Sequence, residues 1–175
     1  ARTPITFAWG GDIGGQNACR DRAEGYPIFR TLAQQRFDFF IGLGDMVYAD
    51  NPCFAIGTYG NAQVPGPPNA AADLPGFWAY WKYNRDDDAL RRLLAAMPYY
   101  AVWDDHEVQN DFGPQHDTGP TGQHLLPLGR KAFVDYNPIA RGADGAPRLY
   151  RSVRWGQHLE LFILDTRQYR DPNSA

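Results

Sequence analysis

Phe37-Asp38-Phe39-Phe40-Ile41-Gly42-Leu43-Gly44-Asp45-Met46-Val47-Tyr48, residues 37–48, is the stretch on which the fold turns. The segment Phe37 to Leu43 is short, rich in large apolar side chains and closed by Gly44-Asp45, so it reads as a buried strand emptying into an acidic loop. Upstream, Pro4 to Gly11 (PITFAWGG) has the same character and is followed by the turn formers Asp12, Gly14 and Gly15. Between the two, Ile28, Phe29, Leu32 and Ala33 recur at helical spacing, which predicts a helix from about Tyr26 to Arg36. Two strands joined through a helix, each ending in an acidic loop, form a unit in which the strands run parallel. The crossover of such a unit is right-handed, and ligands gather at the carboxyl ends of its strands.

Working outward, Ala49 to Asp73 is loop-like, rich in Gly, Pro and Asn, and longer than loops usually are without a function; it is expected to form a rim of the site, with a mobile insertion as the alternative. Helices are expected at about Pro75 to Asn84 and Asp87 to Met97, with Asp86 as N-cap of the second. A third strand, Tyr99 to Trp103, runs into Asp104-Asp105-His106-Glu107. After a polar loop, a short helix near Arg130 to Tyr136 precedes Arg148 to Trp155 and His158 to Leu164, which flank Gly156-Gln157 and read as a hairpin. The class is α/β.

At 175 residues the chain is long enough for one core. Its 43% hydrophobic and 21% charged composition is that of a folded globular protein. The net charge of -3 offers no global attraction for nucleic acid or anionic membranes, so specific nucleic-acid binding is not expected. No apolar run is long enough for a membrane span. The first residue is not Met and the last ones follow directly on a motif, so both ends are expected to be cut ends of something larger. Cys19 and Cys53 leave two readings open, one bridge or two free thiols. Oligomeric state is not legible.

Four times an apolar strand is followed at once by an acid: Asp12, Asp45, the pair Asp104 and Asp105, and Asp165. One aspartate at a turn is ordinary capping. Several gathered at one sheet edge repel one another and resist ionising unless cations sit between them. Hard oxygen donors with imidazole suit Mn, Fe, Zn or Ca. Tyr48, three residues after Asp45, can turn back toward the same ion, and His106 beside an acidic strand end suits a catalytic acid or anion-stabilising donor.

The forms GDMVYAD, WDDHEVQND and LDTRQYRD, in this order and with FAWGGDIGGQ before them, resemble the PhoD-type branch of the calcineurin-like metallophosphoesterases, from about Phe7 to Asp171. The resemblance implies the N-terminal part of a four-layer α/β/β/α sandwich and metal-dependent hydrolysis of phosphate esters, with a phosphate ester as partner. It implies Asp12 as first metal ligand, Asp45 as bridging carboxylate, Tyr48 as a phenolate that indicates ferric iron, and Asp105 as ligand of the second ion. His106 is expected to contact the phosphate. Arg167 is expected as a catalytic residue that pairs with phosphate oxygens or with a ligand carboxylate, with a structural salt bridge as the alternative, and Asn110, Asp111, Tyr169 and Arg170 to support the site. The implied metals are Fe3+ with Ca2+, with Mn2+ or Zn2+ as alternatives, and the implied location is extracellular or periplasmic. Asp12 departs from members that carry cysteine there, which leaves iron selection open, and the ligands that the family draws from later strands are not in this sequence. The rival readings are a two-carboxylate glycoside hydrolase using Asp45 and Asp105, a calcium-stabilised binding module without turnover, and an inactive fragment of the enzyme.

Overall fold

The structure, a computed structural model, describes residues 4–171 except 121, 143 and 146. Residues 1–3 and 172–175, at the two ends expected to be cut, lie outside the described residues. Three strands, β1 (Phe7–Gly10), β2 (Phe39–Leu43) and β3 (Tyr99–Val102), form a parallel sheet in the order β1-β2-β3, with Trp9 opposite Ile41 and Gly42 opposite Ala101. Helix α1 (Pro27–Leu32) lies in the first crossover; α2 (Leu74–Arg85) and α3 (Asp88–Ala96) lie in the second. Helix α4 (Leu126–Tyr136) precedes an antiparallel hairpin of β4 (Arg151–Trp155) and β5 (Leu159–Ile163).

Alternation along the strands decides which layer each side chain joins. Phe40 turns to the helices, where its ring meets Phe29 of α1 edge-on at 6.4 Å. Its neighbour Phe39 turns to the opposite face and packs on Trp155 of the hairpin at 4.9 Å, with Tyr100 also against Trp155. The Arg151 guanidinium fastens the hairpin by donating to the Ala101 carbonyl at 2.7 Å. The result is helices, sheet and second sheet in layers, the arrangement expected of an α/β/β/α sandwich. The main core lies on the helical side, where Phe77, Trp81, Leu90, Leu93, Trp103, Phe112 and Phe133 are buried.

Several boundaries differ from the expected ones for identifiable reasons. The segment Pro4 to Thr6 bonds not to a ladder but to Asp38, whose carboxylate accepts the Thr6 N–H while its own N–H donates to the Thr6 carbonyl, so both strands begin later than expected. Helix α1 stops at Leu32 because Gln34 and Gln35 donate to the Thr31 and Leu32 carbonyls, three residues back, which tightens the chain out of the α-helix. The N-cap of α3 is Asp87, whose carboxylate accepts the Leu90 N–H at 2.8 Å, whereas Asp86 ends α2. Helix α4 begins four residues before Arg130, with Pro in its first turn, a starter position where the absent N–H costs nothing. The cysteines pair: Cys19 and Cys53 form a disulfide.

Candidate metal centre

The carboxyl ends of β1, β2 and β3 carry the expected acids on three adjacent loops. Asp12 and Asp45 both leave their strands with positive φ, 54° and 51°, a conformation that aspartate tolerates better than most residues. Gly44, at φ 105°, makes the turn possible: a Cβ there would fall 2.6 Å from the Asp104 nitrogen. The first two loops are joined backbone to backbone, Asp12 N–H to the Gly44 carbonyl and Ile13 N–H to the Asp45 carbonyl. At this sheet edge Asp45, Asp105 and His106 each offer a ligand atom, and the three atoms lie within 4.8 Å of one another, a spacing that can hold one ion. All three residues are buried. The Tyr48 hydroxyl donates to Asp12 at 2.9 Å, and its ring stacks on His106 with centroids 4.1 Å apart.

The electrostatics of these groups call for positive charge. Burial first, and then the neighbouring Asp105 and Asp104, push the Asp45 carboxyl up to about 6 although it accepts the His106 N–H. Burial and the Asp12 carboxylate hold the Tyr48 phenol well above its ordinary value, so a phenolate forms only where a cation compensates it. Crowded carboxylates, a phenol and an imidazole are hard and borderline donors of the kind that fits divalent or trivalent ions.

Two acids to which the sequence reading gave no role hold this arrangement in place. Asp50, the last residue of GDMVYAD, meets Nδ1 of His106 at 2.8 and 2.9 Å and accepts the Asn110 N–H at 2.7 Å. Burial by itself lowers the His106 imidazolium, but the bond to Asp50 and the charges of Asp50, Asp45 and Asp105 together raise it above the usual value. Glu107 is fully buried, and its two carboxylate oxygens accept the Met46 and Asp104 N–H groups, tying the loop after β2 to the loop after β3. Burial, with the Asp45 charge behind it, pushes Glu107 up to about 8. The signal available in the sequence was an acid inside a compact motif at each place, with no partner visible to give it a role.

Arg167, expected at the phosphate, at a ligand carboxylate or in a structural salt bridge, pairs with carboxylates: Nε donates to Asp104 at 2.6 Å and Nη2 to Asp105 at 3.0 Å. Asp104 is thereby an anchor of the arginine. Asp111 supports the site through its backbone, whose N–H donates to the other Asp105 oxygen. Asp165 does not join the cluster; its carboxylate accepts from the Trp103 indole and from the Arg167 and Gln168 N–H groups, which makes it a turn cap. Tyr169 is exposed and packs edge-on against Tyr150.

Comparison with known proteins bears on the family and the fold. The family described as PhoD-like phosphatase matches residues 7–175. Alkaline phosphatase D of Bacillus subtilis (strain 168) is 27% identical over 167 residues, an alignment covering 88% of this chain and 28% of that protein. A solved structure titled "Structure of PhoD" superposes with a TM-score of 0.74 at 26% identity, covering 98% of this chain and 33% of the other. The chain therefore spans about a third or less of the length of these relatives.

Proposed function

The chain belongs to the PhoD-like phosphatase family, and on that premise we propose that it is the N-terminal portion of a metal-dependent catalytic domain that hydrolyses phosphate mono- or diesters. The observation that carries the reading is the convergence of Asp45, Asp105 and His106 within 4.8 Å, beside the Asp12 and Tyr48 pair, at the carboxyl ends of three parallel strands. Asp12, Asp45 and Tyr48 would hold one ion, with Asp45 shared and Asp105 on the second. The family resemblance implies Fe3+ with Ca2+, with Mn2+ or Zn2+ as alternatives, and hard oxygen donors with an imidazole suit any of these ions. Paired ions, when bound, supply Lewis acidity toward the phosphoryl oxygens and make hydroxide available at neutral to alkaline pH.

The chain's own residues orient and protonate. Asp50 fixes the His106 ring through Nδ1, which leaves Nε2 as the atom that can stabilise a phosphoryl oxygen or deliver a proton to the leaving alkoxide. Arg167 holds Asp104 and Asp105 in register and so positions the second ligand set. No serine or cysteine lies beside a base in the motifs, which favours direct attack over a covalent phospho-enzyme. The Cys19–Cys53 bridge supports an extracellular or periplasmic location, since disulfides persist in oxidising compartments.

The test is hydrolysis of p-nitrophenyl phosphate and its bis-ester by the full-length protein at alkaline pH, before and after chelation, with elemental analysis of the same sample. Turnover that is lost on chelation and restored by metal is the expected result. Bound metal without turnover would replace this reading with a calcium-stabilised binding module. Turnover indifferent to chelator would remove the metal centre from the mechanism.

A further inference from the structure

Tyr48 carries the phenol of the site, and the packing of its ring decides where that phenol stands. One face stacks on His106, with centroids 4.1 Å apart and the planes inclined by 23°. Rings in contact at that spacing leave no room for a chain between them. The other face is covered by Gly15: a Cβ built there would fall 2.0 Å from Cδ1 and 2.3 Å from both Cγ and Cε1, over the ring and not beyond its edge. The ring is thus held between an imidazole and a bare stretch of backbone, while its hydroxyl donates to Asp12 at 2.9 Å.

Neither neighbour is free to give way. Before Gly15, the Ile13 N–H donates to the Asp45 carbonyl at 3.2 Å; after it, the Gln16 carbonyl accepts the Thr58 hydroxyl at 2.7 Å. Asn17 then acts as a pivot: its side-chain oxygen accepts the Phe54 N–H at 2.9 Å and the Gln63 amide at 3.1 Å, while its amide donates to the Ile56 carbonyl at 2.9 Å. Cys19, bonded to Cys53, closes the fastening. On the far side of the ring, His106 is held by Asp50 at Nδ1 and donates its N–H to Asp45. Gly15 has no positive φ that would call for glycine, so what excludes a side chain there is space alone.

Resting on the phosphoesterase reading above, in which Tyr48 holds an ion, we propose that Gly15 is a positioning residue of the site. The lack of a side chain lets the fastened loop press the Tyr48 ring against His106, which sets the phenol oxygen beside Asp12 and backs the imidazole in the same contact. Even a methyl group at residue 15 requires the ring to move by roughly 1.5 Å to restore an ordinary carbon contact. The phenol oxygen then leaves its place beside Asp12, and the support behind His106 goes with it.

The test loads the full-length protein with Fe3+ and reads the visible charge-transfer absorption that a phenolate gives when bound to that ion. Gly15→Ala is expected to lose this absorption and to lower kcat on the order of 100-fold, the cost of an ångström-scale misplacement. Gly10→Ala, where a Cβ meets nothing within 4 Å, is expected to change neither. Thermal unfolding of the metal-free protein separates positioning from a need of the loop itself. Gly15→Ala should lower the midpoint when Tyr48 is present and leave it unchanged once Tyr48→Ala has removed the ring. Should Gly15→Ala alone fail to fold, Tyr48→Ala is expected to restore folding. Unchanged absorption in Gly15→Ala, an equal loss of midpoint in both backgrounds, or no rescue overturns the proposal and leaves the phosphoesterase reading intact. Absence of the absorption from the unaltered protein removes Tyr48 as a ligand and the proposal with it, while chelator-sensitive hydrolysis tests the wider reading separately.

Discussion

Asp50 and His106 show how a single pairing couples the site to pH. In the unfolded chain His106 titrates at its ordinary 6.5; in the folded one it titrates higher, because the Asp50 bond and the surrounding carboxylates outweigh the effect of burial. A group with a raised folded value lends stability that is complete below 6.5 and is lost as pH rises through the folded value. Burial would raise the Asp50 carboxyl, but its hydrogen bonds from His106 and Asn51 bring it below 3.8, so its own contribution disappears only as pH falls through that lower value. Glu107, raised to about 8, also binds its proton more tightly folded than unfolded and deepens the loss above 6.5, whereas Asp45, raised to about 6, has lost its contribution by that pH. We predict that the thermal midpoint of chelator-treated protein falls as pH rises above 6.5, and that Asp50→Asn makes this fall shallower. An identical slope in the two proteins would show that Asp50 does not set the His106 charge. His106 was legible in the sequence because a histidine stood among acids; Asp50 was not, since its partner lies 56 residues away.

At the level of elements, apolar runs, helical spacing and turn formers located the helices and strands of the described residues, and missed chiefly at their ends. The ends are decided by which side chain reaches which orphan N–H, a matter of backbone geometry that adjacent, chemically identical acids cannot reveal. Asp86 and Asp87 make the case. Asp87 caps α3 through one oxygen and accepts the Tyr26 N–H through the other at 3.0 Å, and it is buried. Replacing Asp87 with alanine is expected to cost about 2 kcal/mol, more than a simple cap because a second N–H is left unpaired. Asp86→Ala, removing no cap, is expected to stay within about 0.5 kcal/mol. Urea unfolding of the two variants checks the assignment, and equal losses would overturn it. The rim loop differs again: its composition marked it as irregular, but the bridge and the Asn17 pivot that fasten it depend on segments brought together by the fold.

For the whole molecule, the two faces of one strand predict the layering. Phe29 is almost wholly buried between α1 and the sheet, so Phe29→Ala is expected to cost about 3–5 kcal/mol. Trp155, only partly buried, ties the hairpin to Phe39 and Tyr100 on the other face, and Trp155→Ala is expected to cost about 2 kcal/mol. If the hairpin were an independent layer, the tryptophan variant would unfold at the same denaturant concentration as the parent. The α/β class and the placement of acids at strand ends were readable because alternation and strand length are local properties. The second-sheet packing was not, because a hairpin carries no local mark of what its outer face meets.

What the sequence determined by itself is the parallel unit, the acids at its carboxyl edge and the motifs that match the family, because hydrophobic period and residue type act over a few residues. The tertiary structure alone decided which of those acids converge. It brought Asp45, Asp105 and His106 within 4.8 Å, turned Asp165 into a cap, gave Arg167 to Asp104 and Asp105, and joined Cys19 to Cys53. Cys19 meets Cys53 across 34 residues, Asp45 meets His106 across 61 and Arg167 meets Asp104 across 63, and at such separations a partner is chosen by the layers that fold the chain back on itself, not by its neighbours in sequence.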